Sequence, residues 1–174
     1  MNKQEIILNI IEHLSSELAA TQLAADNAHS AATDDQSVAE TQYDTLAIEA
    51  SYLAEGQSMR VEEIKYSITQ FEHLQARELD YSATIKVGSL VQLNKGESNN
   101  EWFFIAPSAG GFKCNLQADN VTVQITVITP HSPMGKALLS KEVDDDVSIN
   151  FQNLDLQRIK LKESDDGDYI VAVK

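Results

Sequence analysis

Carboxylates are the side chains whose placement first suggests chemistry. Asp34, Asp35, Glu40 and Asp44 fall within one short stretch, and carboxylate oxygens are the ligands that hard divalent cations take. None of these acids makes a complete metal site alone. Asp26 and His29, three residues apart on one helical face, form a second candidate pair, yet no third ligand stands at a telling spacing. His13, His73 and His131 read as surface or partly buried residues. Cys114, the single cysteine, has no local base and reads as a buried structural thiol. No nucleophile elbow or glycine-rich phosphate loop occurs. A self-sufficient active site is therefore not expected.

The elements that position the acids are legible in the apolar pattern. Ile7, Ile11, Leu14, Leu18, Thr21, Ala25, Ala28 and Ala32 alternate steps of four and three, as the seam of a coiled coil does. The seam passes from bulky to small residues, so the helices can approach more closely toward Ala32. Thr33-Asp34-Asp35-Gln36-Ser37 interrupts it with residues that end one helix and cap the next, and Ser37 with Glu40 fits a capping box. Leu46, Ala50, Leu53 and Gln57 continue a second seam, resumed at Val61, Ile64, Ile68 and Phe71. Its consecutive four-residue steps near Gly56 predict a stutter. Two helices of about 33 and 40 residues, roughly 50 to 60 Å long, form an antiparallel hairpin with its tip near residues 33–40.

Charge is distributed unevenly along this hairpin. No lysine or arginine occurs between Lys3 and Arg60, while Glu5, Glu12, Glu17, Asp26, Asp34, Asp35, Glu40, Asp44, Glu49 and Glu55 are acidic. Over the whole chain 13 basic residues face 27 acidic ones, a formal net charge of -14. Independent binding to a DNA duplex is disfavoured by that balance. The acids either keep copies and nucleic acid away or fit the hairpin to a basic channel in a partner.

From about Thr84 the period changes to two. Ser89–Leu93, Trp102–Ala106 and Val121–Ile128 are strand candidates, with turns at Asn94-Lys95-Gly96 and Ala109-Gly110-Gly111. Ser132-Pro133 opens a short helix through Leu139, because Ser caps and Pro suits the first helical position. Val147–Phe151, Leu154–Leu161 and Tyr169–Val173 supply further strands, the last two joined by Asp166-Gly167-Asp168. The first Gly is Gly56 and the first Pro is Pro107, so the halves are built differently. The organisation expected is α+β: a coiled-coil hairpin over 1–79, then a small antiparallel β domain over 80–174. The start of the chain lacks a signal-peptide layout and no stretch is long and apolar enough for a membrane span. A monomer in the cytoplasm is expected.

The run from Ser132 to Val147, S-P-M-G-K-A-L-L-S-K-E-V-D-D-D-V, resembles the segment of the Gre family (GreA and GreB), bacterial transcript cleavage factors, in which Ser-Pro opens a short helix before a strand. The preceding hairpin matches that family's order, so the resemblance covers nearly the whole chain. It implies an FKBP-like C-terminal domain that docks on RNA polymerase, here through Ser132, Pro133, Met134, Lys136 and Ala137. It also implies a hairpin passing down the polymerase's secondary channel toward the nascent RNA 3′ end. Tip acids, here Asp34, Asp35 and Glu40, would approach the active centre, with Asp35 and Glu40 helping the polymerase hold Mg2+. Any catalysis would be the polymerase's own.

The tip departs from the family. Its motif is Asp, two residues, then Glu-Asn, preceded by Gly; here Ser37 stands three before Glu40 and Thr41 follows it. Aligning on Tyr43 instead puts Gln36 and Ala39 at the acidic positions. Basic residues that hold RNA in cleavage factors are missing from the Lys3–Arg60 gap. Entry with altered chemistry, as in a polymerase regulator that does not cut RNA, fits these departures. A third possibility is an adaptor or FKBP-like chaperone unrelated to transcription, with Trp102, Phe103 and Phe104 either lining a pocket for prolyl peptides or serving as strand core.

Overall fold

The computed structural model describes residues 2–33, 45–76, 84–94, 100–118, 121–147 and 169–173. Two compact units are present: Ile10–Glu72, and Met1–Asn9 together with His73–Lys174. The expected boundary at 79/80 lies outside the described residues.

Helix α1 spans Lys3–Thr33 and helix α2 spans Thr45–Ala76. Asn2 starts α1 by accepting a bond from the Gln4 amide at 3.0 Å, which satisfies a donor that the first turn leaves free. The α1 seam appears as read: Ile7, Leu14, Ala25 and Ala28 are buried, while Ile11, Leu18 and Thr21 are half-buried. Within the unit Ile10–Glu72, Arg60 Nη2 reaches Glu17 Oε1 at 2.7 Å across the helix pair.

The α2 seam requires a correction. Leu53 is 56% exposed, and Ala54 takes the inward position, half-buried with Ala50 and Gln57. From Ala50 through Ala54, Gln57, Val61, Ile64, Ile68 and Phe71 the steps alternate four and three, so among these residues the expected stutter near Gly56 is absent. An alanine at this position suits the small residues of α1.

The second unit carries a five-stranded sheet in the order β3-β4-β2-β1-β5. Its strands are β1 (Leu90–Asn94), β2 (Asn100–Ile105), β3 (Lys113–Ala118), β4 (Val121–Ile128) and β5 (Tyr169–Val173). Strand β3 was not anticipated, although Cys114 and Leu116 are buried between exposed Lys113, Asn115 and Gln117, the alternation of a half-buried strand. The sheet is also not wholly antiparallel: β4 pairs parallel with β2, Trp102 opposite Ile125 and Ile105 opposite Ile128. This follows from where the chain buries its apolar residues. Ile125, Val127 and Ile128 are buried and take an interior place, whereas the more exposed β3 folds back antiparallel and becomes an edge.

One face of the sheet, with Val91, Leu93, Phe103, Ile105 and Ile128, packs with Ile85, Leu138 and Val147 into a single cluster. On the other, Leu90, Phe104, Ile125 and Val127 are fully buried, and the same unit includes the fully buried Ile6 and Ile7. Helix α3, Pro133–Leu138, follows β4. Reciprocal bonds from the Ile85 amide to Lys141 O and from the Ser140 amide to Ile85 O hold the sheet's lead-in segment beside the exit of α3. The expected strands at Val147–Phe151 and Leu154–Leu161 lie wholly or largely outside the described residues.

Candidate partner-binding surfaces

Asp34, Asp35, Glu40 and Asp44 lie outside the described residues, as does the Ser37–Glu40 capping box. The helix leading to them ends with a side chain turned inward on its own backbone: Thr33 Oγ1 donates to His29 O at 2.9 Å. Asp26 accepts a bond from Gln22 Nε2 at 3.1 Å. Among the described residues no cluster of three or more His, Cys, Asp and Glu side chains is placed to hold a metal.

The electrostatics of the hairpin change along its length. Arg60 bridges Glu17 and Glu63 at 2.7 and 3.1 Å, and Lys65 meets Glu62 at 2.9 Å. Hydrogen bonds to Glu17 and then Glu63 hold the Arg60 guanidinium above its ordinary range, with partial burial opposing them. These are solvent-facing pairs, which contribute little to stability. Their importance is positional. They neutralise acids near the two cations of α2, whereas Asp26, Glu49 and Glu55 are exposed in the stretch that contains neither lysine nor arginine.

The α3 patch has a different construction. Ser132 Oγ accepts from the Gly135 amide at 3.0 Å and donates to Thr129 O at 2.7 Å. Ser132 is thereby a cap that ties α3 to the end of β4, with Pro133 at the first helical position. A Cβ added at Gly135 would land on the Thr129 carbonyl, 2.9 Å from its carbon. Only glycine permits this approach of helix to backbone. Met134 and Ala137 are half-buried and pack on the core cluster. Pro133 and Lys136 are exposed. Of the residues implied as polymerase contacts, Ser132 therefore builds the helix, and Pro133 and Lys136 present the larger share of free surface. Thr129 and Gly135 were not singled out from the sequence; glycine inside a capped helix was the available signal.

Trp102, Phe103 and Phe104 do not gather into one pocket. Successive strand residues face opposite sides, and all three are buried, Phe104 completely. A depression of about 540 Å3 over β2, β3 and β4 includes Trp102 but is rimmed by Glu101, Lys113 and Thr122. Burial pushes the Cys114 thiol up from its ordinary value, and the charge of Glu5 adds to the shift. Both causes disfavour the thiolate, in keeping with a structural cysteine.

Among the described residues no helix is long and apolar enough to cross a membrane. No protein-family model matches the sequence, and no curated protein matches it. Solved structures similar to the chain include GreA factor homolog 1 of Thermus thermophilus, 20% identical over 94% of each chain at a TM-score of 0.32. The protein of that name from Thermus aquaticus is 20% identical over 93% of this chain and 92% of its own, also at 0.32. A further structure of the transcription factor Gfh1 is 23% identical over 80% and 83% of the two chains at 0.29.

Proposed function

We propose that this chain is a Gre-like factor that binds bacterial RNA polymerase and is not itself an enzyme. The carrying observation is the capped Ser132–Gly135 turn of α3, seated on the sheet by Thr129, in a chain that begins with two long paired helices. Under this reading, exposed Pro133 and Lys136, with the accessible parts of Met134 and Ala137, dock the C-terminal domain on the rim of the secondary channel. The acidic hairpin enters the channel, where basic walls favour it over other macromolecular surfaces.

Asp34, Asp35 and Glu40 are the residues assigned to approach the polymerase's active centre. Asp35 and Glu40 bring the hard oxygen ligands that Mg2+ takes, and two carboxylates are too few to hold it without the polymerase. When bound, such an ion supports attacking or leaving oxygens in phosphoryl transfer. The protein's own acids would orient and share it.

A second reading has its own support. Ser37 and Thr41 stand where the family carries Asp and Asn, and no basic residue between Lys3 and Arg60 is present to hold an RNA 3′ end. These favour a factor that occupies the channel without stimulating cleavage. The deciding experiment adds the protein and Mg2+ to a backtracked polymerase complex carrying end-labelled RNA. Shortening beyond the polymerase's intrinsic rate, lost in the combined Asp34→Asn, Asp35→Asn and Glu40→Gln variant, supports cleavage. Intact RNA with retained, tip-independent binding supports occupancy. A lysate pull-down that recovers other clients and no polymerase overturns both.

A further inference from the structure

Helix α2 carries an apolar stripe that its packing does not use. Tyr52, Met59 and Tyr66 are spaced by seven residues and are 71%, 62% and 67% exposed. Ile48, one turn before Tyr52, is 55% exposed. The buried or half-buried seam of the same helix runs through Ala54, Gln57, Val61, Ile64 and Ile68. At about 100° per residue the stripe lies roughly half a turn from this seam. Helix α2 is thus apolar along two opposite lines, and pairing within the hairpin accounts for one.

Pairing within the hairpin leaves these side chains in water, and they recur at one helical period along a single line. Large aromatic and methionine side chains in register are the groups that anchor helix-in-groove recognition.

The flanking charges identify the occupant's character. Glu49 and Glu55 lie three residues either side of Tyr52, and Glu62 and Glu63 lie between Met59 and Tyr66 at spacings of three or four, so all four border the stripe. Glu62 and Glu63 are met by Lys65 and Arg60, but Glu49 and Glu55 belong to the stretch with no lysine or arginine. A second copy laid on this face would set acid against acid. Nucleic acid and an anionic membrane meet the same repulsion. A protein groove with apolar pockets and basic rims meets none.

We infer that Ile48, Tyr52, Met59 and Tyr66 form a second docking line on the outer face of α2, occupied by a basic protein groove. This deepens, and rests on, the polymerase reading above: the groove is a wall of the enzyme that receives the hairpin. The contact is separate from the tip acids and from α3, so it grips the shaft of the hairpin and sets its rotation.

The test uses full-length protein and purified bacterial core RNA polymerase. The Tyr52→Ser, Met59→Ser, Tyr66→Ser variant should bind at least about tenfold more weakly, as loss of aromatic anchors does, with helicity unchanged by circular dichroism. The Glu49→Gln, Glu55→Gln variant should lose affinity chiefly at low salt. As a second measurement that does not depend on the triple variant's folding, a photoreactive phenylalanine analogue placed at position 52 should crosslink to polymerase. Wild-type binding with an unaffected triple variant and no crosslink overturns the stripe and leaves the polymerase reading standing. Absence of wild-type binding overturns the reading and this occupant together. Concentration-dependent dimerisation abolished by the triple variant makes a second copy the occupant and overturns the inference.

Discussion

The two units bury different materials. In the hairpin unit the seam runs through Ala25, Ala28, Ala54 and Gln57 before reaching Val61 and Ile64, and large residues such as Leu23, Tyr52 and Met59 stand outside it. In the sheet unit the interior holds Leu90, Leu93, Phe104, Ile105, Ile125 and Leu138 at 0% exposure. Apolar burial scales with the area removed from water. Among the described residues the sheet unit therefore buries the bulkier apolar groups, and the helix pair leaves Leu23, Tyr52 and Met59 in water. The contrast shows that the helix pair leaves large apolar side chains exposed while the sheet unit encloses its own.

The most severe challenge to this contrast is Phe104→Ala. A fully buried aromatic truncated in a packed sheet should cost about 3–5 kcal/mol. Denaturation followed through Trp102 fluorescence, the single tryptophan, should shift strongly, and far-ultraviolet circular dichroism of the helices should shift less. A single coincident transition for both signals would break the comparison by making the units one cooperative body.

Two glycines sharpen it. Gly135→Ala places a methyl on the Thr129 carbonyl and should destabilise the sheet unit by about 1–3 kcal/mol, as overpacking against an unyielding backbone does; a urea midpoint reads it. Gly56→Ala does the opposite. Nothing lies within 4 Å of a Cβ at Gly56, and alanine in an exposed helix interior is favoured by about 0.5–1 kcal/mol. A higher melting temperature for the hairpin's helical signal is expected. A fall instead would mean that the surface beside Gly56 is tightly packed.

Much of the fold was legible because its signals are local. The α1 seam, the Ser132-Pro133 helix start and the Ala109–Gly111 turn depend on spacing, capping chemistry and backbone freedom within a few residues, and each appears where the residue pattern puts it. The lost strand, β3, shows the opposite case: six residues in which Cys114 and Leu116 are the large buried groups among those described give a weak alternation. The candidate sites divide similarly. Ser132 and Pro133 could be placed on a helix start from sequence, but Gly135's need for glycine depends on how the turn after β4 brings the Thr129 carbonyl against the helix. The tip acids lie outside the described residues, and their role rests on the polymerase reading.

Sequence by itself determined the two long helices, the acidic stretch from Lys3 to Arg60 and the short capped helix, since helix periodicity and charge are written residue by residue. Tertiary structure alone decided that Ala54 and not Leu53 takes the inward position, because a one-residue choice of seam is settled by packing. It also decided that β4 inserts parallel to β2 with β3 at the edge, because strand order depends on which distant apolar surfaces can be buried together. The exposed line of Tyr52, Met59 and Tyr66 became visible on the same ground: a heptad spacing marks a face, and only the packed partner shows which face remains open.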